Sequence, residues 1–329
     1  MAWWEDTIRE IAEYRIYSST DAVLRALELF PQVFKRAYNL RESLETLAEL
    51  VNKLVEVRPT SVMLTNMIRR LLRAVEEHVK AGRSTPEIAD ALELEIKSLR
   101  RELESAVNIA ATLGARRVRN GDTLMTCSYS KTIMALFHRL REEGKRVRVY
   151  VTESRPGGEG VEMAKEISSM GFEVELIVDS AVRFFMKDVD LVVVGAEAIA
   201  ANGAVVNKVG TSMIALAAHE ARVRFYVAAE TYKFSPATVL GELVTIEERD
   251  PKEVVPPNVL ASSPRLRVRN PAFDVTPPEY IDAIITERGV IPPKAAILVL
   301  KEEYGRMLEE ELMRITLDIE DSIYPAQLP

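Results

Sequence analysis

The hydrophobic period of this chain changes once, at Asn120-Gly121-Asp122, and no single-layer architecture satisfies both sides of that change. Before it, apolar residues recur at three-and-four spacing. Leu44, Leu47, Val51, Leu54 and Val55 form one series, and Ile88, Leu92, Ile96, Leu99, Leu103 and Val107 another. Each series lays an apolar stripe along one face of a helix. Ser84-Thr85-Pro86-Glu87 has the order of a helix start, a hydroxyl cap followed by a glutamate three residues on. Breaks at Pro31, Arg58-Pro59-Thr60-Ser61 and Ala81-Gly82-Arg83-Ser84 divide Thr7 to Gly114 into four or so antiparallel helices with short connections. After the change, β-rich runs at Thr123 to Thr126, Val147 to Thr152, Val174 to Val178, Leu191 to Val194 and Phe225 to Ala228 alternate with longer helical stretches. Runs apolar on both faces belong to a mostly parallel sheet covered by helices and joined by right-handed crossovers. The predicted fold is therefore α/β, with a helical N-terminal domain over residues 1–118 and a sheet domain over 119–329.

Composition narrows the function classes. The 329 residues suffice for one large or two ordinary domains, and 47% hydrophobic with 28% charged residues is a globular balance. Lys and Arg number 43 against 50 Asp and Glu, so a net charge of −7 offers nucleic acid no attractive global field, and no direct nucleic-acid partner is expected. The one cysteine, Cys127, cannot close a disulfide within the chain. His78, His138 and His219 are too dispersed for zinc-ligand spacing, so neither metal nor cofactor is expected. Charged residues throughout positions 1–30, and the lack of any run near 18 apolar residues, argue against a signal peptide and a membrane span. Cytoplasm is the expected compartment.

In a parallel sheet the ligand crevice lies beyond the carboxyl ends of the strands. Those ends read Thr126-Cys127-Ser128-Tyr129-Ser130-Lys131, Thr152-Glu153-Ser154-Arg155-Pro156, Asp179-Ser180-Ala181, Gly195-Ala196-Glu197 and Ala229-Glu230-Thr231-Tyr232-Lys233. Ser128, Ser130 and Lys131, where a strand gives way to a helix, can turn hydroxyls, backbone N–H groups and an ammonium onto a phosphate. Glu153 with Arg155, and Glu230 with Lys233, place an acid and a base at two strand ends, the composition of a polar crevice. Asn202-Gly203 reads as a tight turn, and Asn207, Lys208 and Gly210-Thr211 add donors suited to anionic oxygens. A lone Cys127 beside a buried strand reads first as a small core residue. The segment Glu248 to Pro278 reads as an ordered wrapping loop before a last strand near Ile281 to Thr286. The tail from Leu300, with Glu309 to Glu311 and Asp318 to Asp321, reads as an acidic helix with a solvated face.

Longer motifs carry a family resemblance. Gly195-Ala196-Glu197-Ala198-Ile199-Ala200-Ala201-Asn202-Gly203, Asn207-Lys208-Val209-Gly210-Thr211 and Ala228-Ala229-Glu230-Thr231-Tyr232-Lys233-Phe234 are joined by Asn270-Pro271-Ala272-Phe273-Asp274-Val275-Thr276-Pro277-Pro278 and Thr286-Glu287-Arg288-Gly289-Val290-Ile291-Pro292-Pro293. From about Arg58 to Tyr304 the chain resembles the superfamily that unites ribose-1,5-bisphosphate isomerase, methylthioribose-1-phosphate isomerase and the alpha, beta and delta subunits of translation initiation factor 2B. The resemblance implies a Rossmann-like C-terminal domain, homodimers built through it, and a sugar-phosphate or nucleoside-monophosphate pocket between the domains. Arg58, Ser130, Lys131, Arg155, Asn207, Lys208 and Lys233 stand where the family places ligand contacts.

Three pocket positions depart from the isomerase pattern. Those enzymes resemble one another in a cysteine just after the first strand and an aspartate in Gly-Ala-Asp. Here Ser128 fills the cysteine position, Cys127 lies one residue earlier on the opposite face of an extended backbone, and Glu197 replaces the aspartate. An N-terminal Arg-Gly-Ala-Gly phosphate loop is replaced by Ile16-Tyr17-Ser18-Ser19-Thr20. Gly-Ala-Glu, Tyr129-Ser130 and Thr152-Glu153-Ser154 instead resemble the alpha subunit. These departures lead to the expectation of a regulatory, non-enzymatic protein that binds a sugar phosphate or nucleoside monophosphate and acts through protein contacts, an initiation-factor partner among them. The alternative is an active ribose-1,5-bisphosphate isomerase in which Glu197 serves as base with Ser128 or Cys127 as its partner.

Overall fold

The structure, a computed structural model, describes residues 2–16 and 18–305. Its helical part comprises α1 (Glu5–Ala12), α2 (Ser19–Leu27), α3 (Leu29–Arg36), α4 (Leu40–Val57), α5 (Val62–Lys80) and α6 (Thr85–Ala115). These are six helices where the breaker pattern predicted about four. Pro31 lies in the first turn of α3, where its missing N–H has no intrahelical partner to lose, so it interrupts nothing. The chain instead turns at Glu28, between α2 and α3, and at Tyr14, whose φ of 54° closes the turn between α1 and α2. Side-chain caps fix the starts. The Asp21 N–H donates to Ser18 Oγ (3.2 Å) and the Glu42 N–H to Asn39 Oδ1 (2.9 Å), and Ser84 with Glu87 forms the anticipated capping box.

The 31 residues of α6 run about 46 Å at 1.5 Å per residue. Its first half buries Ile88, Leu92, Ile96, Leu99 and Leu103 in the helical core with Phe30, Phe34, Leu50 and Leu71. Its last turns put Ala111 and Ala115 into the core beneath the sheet, beside Leu136, Phe137 and Ile285. One helix thus serves two cores.

The α/β part runs β1 (Thr123–Cys127), α7 (Lys131–Glu142), β2 (Arg148–Thr152), α8 (Glu159–Ser169), β3 (Glu173–Ile177), α9 (Val182–Phe185), β4 (Leu191–Val194), β5 (Ala198–Ile199), β6 (Val205–Lys208), α10 (Thr211–Ala221), β7 (Arg224–Ala228), α11 (Pro257–Ser262), β8 (Phe273–Thr276), β9 (Ala283–Thr286) and β10 (Gly289–Ile291). The seven-stranded sheet has the order β10-β9-β7-β4-β1-β2-β3 and is parallel except for β10, which returns antiparallel on β9. From β1 the chain builds outward through β2 and β3, then crosses back to β4. The point of reversal between β1 and β4 opens a crevice at their carboxyl ends.

A second, antiparallel sheet of β5, β6 and β8 was not predicted. Its strands are two to four residues long, and β8 pairs with β6 across more than sixty positions, so no local period marks it. The wrapping segment Glu248 to Pro278 accordingly contains α11 and β8 rather than loop alone. Residues 296–305 are helical, and the acidic positions Glu309 to Glu311 and Asp318 to Asp321 lie outside the described residues. No described helix is long and apolar enough to cross a membrane.

The turn joining β5 to β6 depends on Gly203, which has a φ of 85° and would place a Cβ 2.2 Å from the Pro293 carbonyl oxygen. Gly203→Ala is therefore expected to destabilise the protein by about 2 kcal/mol or more, read as a lower urea midpoint with an unchanged m-value.

Candidate functional site

The crevice at the reversal point closes into a cavity of about 40 Å3 whose wall is drawn from both halves of the molecule. The turn from β1 into α7 supplies Ser128, Ser130 and Lys131. The segment after β4 supplies Glu197, the end of β6 Asn207 and Lys208, and the turn after β7 Lys233. From the helical part come Arg58, between α4 and α5, and Ser19 and Thr20 at the start of α2. Eight of the nine residues anticipated from sequence thus meet in one place. Arg155 does not: its side chain is exposed, and its backbone N–H is held by Asp179 Oδ2 at 2.8 Å.

Two non-glycine residues at adjacent strand ends, Ser128 and Ser154, have left-handed φ values of 56° and 59°, and the Ser128 N–H donates to Ser154 Oγ at 2.8 Å. Such backbone costs about 1–3 kcal/mol per residue and persists only where its surroundings impose it. Here it turns the chain so that Ser128 enters the cavity.

Four cations, Arg58, Lys131, Lys208 and Lys233, line the wall with two carboxylates, Glu159 and Glu197. Asp21 and Glu230, which pair with Lys131 and Lys233, balance the remaining charge from behind the wall, so the site offers inward-facing donors of the kind that bind phosphate rather than net positive charge. Nη2 of Arg58 lies 3.4 Å from Glu197 Oε1, with both side chains almost fully buried. Burial pulls the Arg58 guanidinium below its ordinary pKa, and Glu197 works against that pull. Nζ of Lys208 lies 2.7 Å from Glu159 Oε1, Lys233 3.3 Å from Glu230, and Lys131 2.6 Å from Asp21. Asn207 Nδ2 donates to Thr211 Oγ1 at 3.1 Å. Ser19 and Thr20 bring the first turn of α2 to the wall, where the helix dipole favours an anion. Tyr17 lies outside the described residues.

The sequence analysis did not find Tyr14, Glu159 or Phe273. Tyr14 closes one side of the cavity, its ring centroid 4.2 Å from the Arg58 guanidinium carbon and 4.4 Å from that of Arg249. Its hydroxyl donates to Glu247, a carboxyl that burial pushes up to about 7 against the opposing charge of Arg249. A lone tyrosine in a turn gives no signal of this. Glu159 was legible in principle, since Gly157-Gly158-Glu159 stands in the turn between a strand and a helix and Glu159 opens α8.

Cys127 lies behind the cavity rather than in it. It packs with Met125, Val192 and Val194, its Sγ 3.5 Å from Thr211 Oγ1, and desolvation pushes its thiol up to about 12. A thiol so placed is protonated at neutral pH and closed to reagents. An aromatic disulfide reagent at pH 8 is expected to label Cys127 only as the protein unfolds, and Cys127→Ser should keep ligand binding within about three-fold of the parent.

Against known proteins, the model of the Initiation factor 2 subunit family matches residues 15–293. The ribose 1,5-bisphosphate isomerase of Archaeoglobus fulgidus is 48% identical over 80% of this chain and 82% of its own, and that of Thermococcus kodakarensis is 44% identical over 83% and 85%. Among solved structures, translation initiation factor eIF-2B of Pyrococcus horikoshii OT3 superposes with a TM-score of 0.75 at 34% identity, covering 89% of this chain and 98% of the other. The isomerase relatives overturn the expectation of a non-enzymatic protein, which rested on Ser128, Glu197 and the replaced N-terminal loop at Ile16 to Thr20. Those three departures were weighed above the whole framework, and the cavity wall keeps a carboxylate and its cations. By the extent of the family match and the identity to these relatives, this chain belongs to the Initiation factor 2 subunit family.

Proposed function

We propose that the chain is a ribose-1,5-bisphosphate isomerase, converting the closed-ring aldose bisphosphate to ribulose-1,5-bisphosphate. The observation that carries this reading is the joint occurrence of 44–48% identity to isomerases with a cavity wall that presents the donor groups of Arg58, Lys131, Lys208 and Lys233, each held by a carboxylate. The reaction opens the C1–O4 bond, moves hydrogen from C2 to C1, and converts the C2 hydroxyl to a carbonyl. Two phosphates must be held through this change, and Lys131, Lys233, Arg58 and the start of α2 offer charge-assisted donors to them. The Glu197 carboxylate, fixed by Arg58, supplies negative charge beside a sugar carbon that becomes electron-poor as the ring opens.

A cavity of about 40 Å3 holds water but not a pentose bisphosphate, and ligand pockets generally span roughly 300–1,000 Å3. Entry therefore requires the wall to part, and Tyr14 between its two guanidinium groups is the piece carried by a short turn. Parting that stack also uncovers Arg58 for the ligand.

Purified protein given ribose-1,5-bisphosphate is expected to form ribulose-1,5-bisphosphate in a coupled assay without added cofactor. Folded protein that shows no turnover would refute the reading. Glu197→Gln should lower kcat by about 10²–10³. Lys233→Ala should act chiefly on KM, because phosphate binding is shared by ground and transition states.

A further inference from the structure

Glu159 is nearly buried, 6% exposed, and lines the cavity. Its two oxygens differ. Oε1 is held by Lys208 Nζ at 2.7 Å, whereas Oε2 is fully buried and meets no hydrogen-bond donor among the described residues. A buried carboxylate oxygen without a donor costs free energy, and native structures complete most such groups with water, an ion or a ligand or put them to catalytic use. The space around it is made by the chain itself, because a Cβ on Gly157 would lie 2.7–2.8 Å from the carboxylate atoms. Glu159 also opens α8, where the helix dipole favours its negative charge.

The chemistry asks for what this arrangement offers. One group must accept the proton of the C2 hydroxyl and another must give a proton to the ring oxygen. The Ser128 hydroxyl is far too weak an acid to exchange a proton near neutral pH, and Cys127 does not reach the cavity. Glu197 is paired through Oε1 with Arg58, a guanidinium that keeps its proton and so has none to give the ring oxygen.

We propose that Glu159 and Lys208 act together as the proton-carrying pair of the isomerisation, a proposal that rests on the isomerase reading above. The O2–H bond breaks, its proton goes to Glu159 Oε2, and its electron pair forms the C2=O π bond. The C2 hydrogen moves with its electron pair to C1, so C2 is oxidised and C1 reduced within one molecule. The C1–O4 bond breaks with its electrons on O4, which takes a proton from the Lys208 ammonium. The Glu159 carboxyl then turns about its Cγ–Cδ bond to bring the protonated oxygen to the Lys208 amine, which takes the proton back, restoring the pair with no outside donor.

Glu159→Gln keeps the size of the side chain and an oxygen for Lys208 but cannot take a proton. With rates compared at equal folded fraction from unfolding curves, kcat is expected to fall by about 10²–10⁴ while KM stays within about three-fold. Glu159→Ala should lose as much and regain part of its kcat as formate is added, a response that a purely structural role would not give. Wild-type turnover with Glu159→Gln within about five-fold of it, or a Glu159→Ala defect indifferent to formate, would overturn the proton role alone. A wild-type protein with no turnover would overturn the isomerase reading and this proposal with it.

Discussion

The contact on which the rest of the structure depends is the buried ion pair between Arg58 and Glu197. Arg58 ends α4 in the helical part, and Glu197 follows the central strand β4, so the pair ties the two parts at the place where the cavity forms. A buried charge without its partner destabilises by roughly 3–5 kcal/mol, which makes the approach of the two parts a condition for burying either residue. Neighbouring bonds set the same geometry. Thr60 Oγ1 donates to the Thr245 carbonyl at 2.6 Å, and Asn66 Nδ2 donates to the carbonyls of Tyr232 and Phe234 at 2.9 and 3.0 Å. The last two flank Lys233, so the first turns of α5 hold the segment that presents this cation.

Electrostatic order inside the cavity follows from the same economy. Each buried cation has an acid of its own: Glu197 for Arg58, Glu159 for Lys208 and Glu230 for Lys233. Such pairs hold the donor groups of the cations in fixed orientations along the cavity wall. The substitutions that set this chain apart from the family's isomerase pattern fall within this system. Serine replaces the thiol, glutamate replaces the aspartate, and a glutamate at position 159 stands against a lysine with one oxygen unsatisfied.

Reading function from motif positions alone therefore misled, and the reason is physical. Losing a cysteine from one turn says nothing of which other titratable groups the fold brings to the same volume. Glu159 lies 38 positions from Glu197 in sequence, and only the convergence of the β2–α8 turn with the β4–β5 connection puts both on one wall. Arg155 illustrates the opposite error. Its position in a strand-end motif suggested a ligand contact, but the β2–α8 turn anchors its backbone to Asp179 and leaves the side chain in solvent.

The sequence by itself determined the change from helical bundle to parallel sheet, the stripes that build each core, the strand ends where the cavity forms, and eight residues of the cavity wall. Those features depend on local period and on a general rule of parallel sheets, so they are written along the chain. Tertiary structure decided the six-helix division of the N-terminal part, the β5-β6-β8 sheet, the Tyr14 wall and the pairing of Glu159 with Lys208. Each of these rests on contacts between residues far apart in the chain, or on a backbone turn that only its surroundings enforce. No local pattern encodes such contacts, because their free energy exists only once both partners have been brought together.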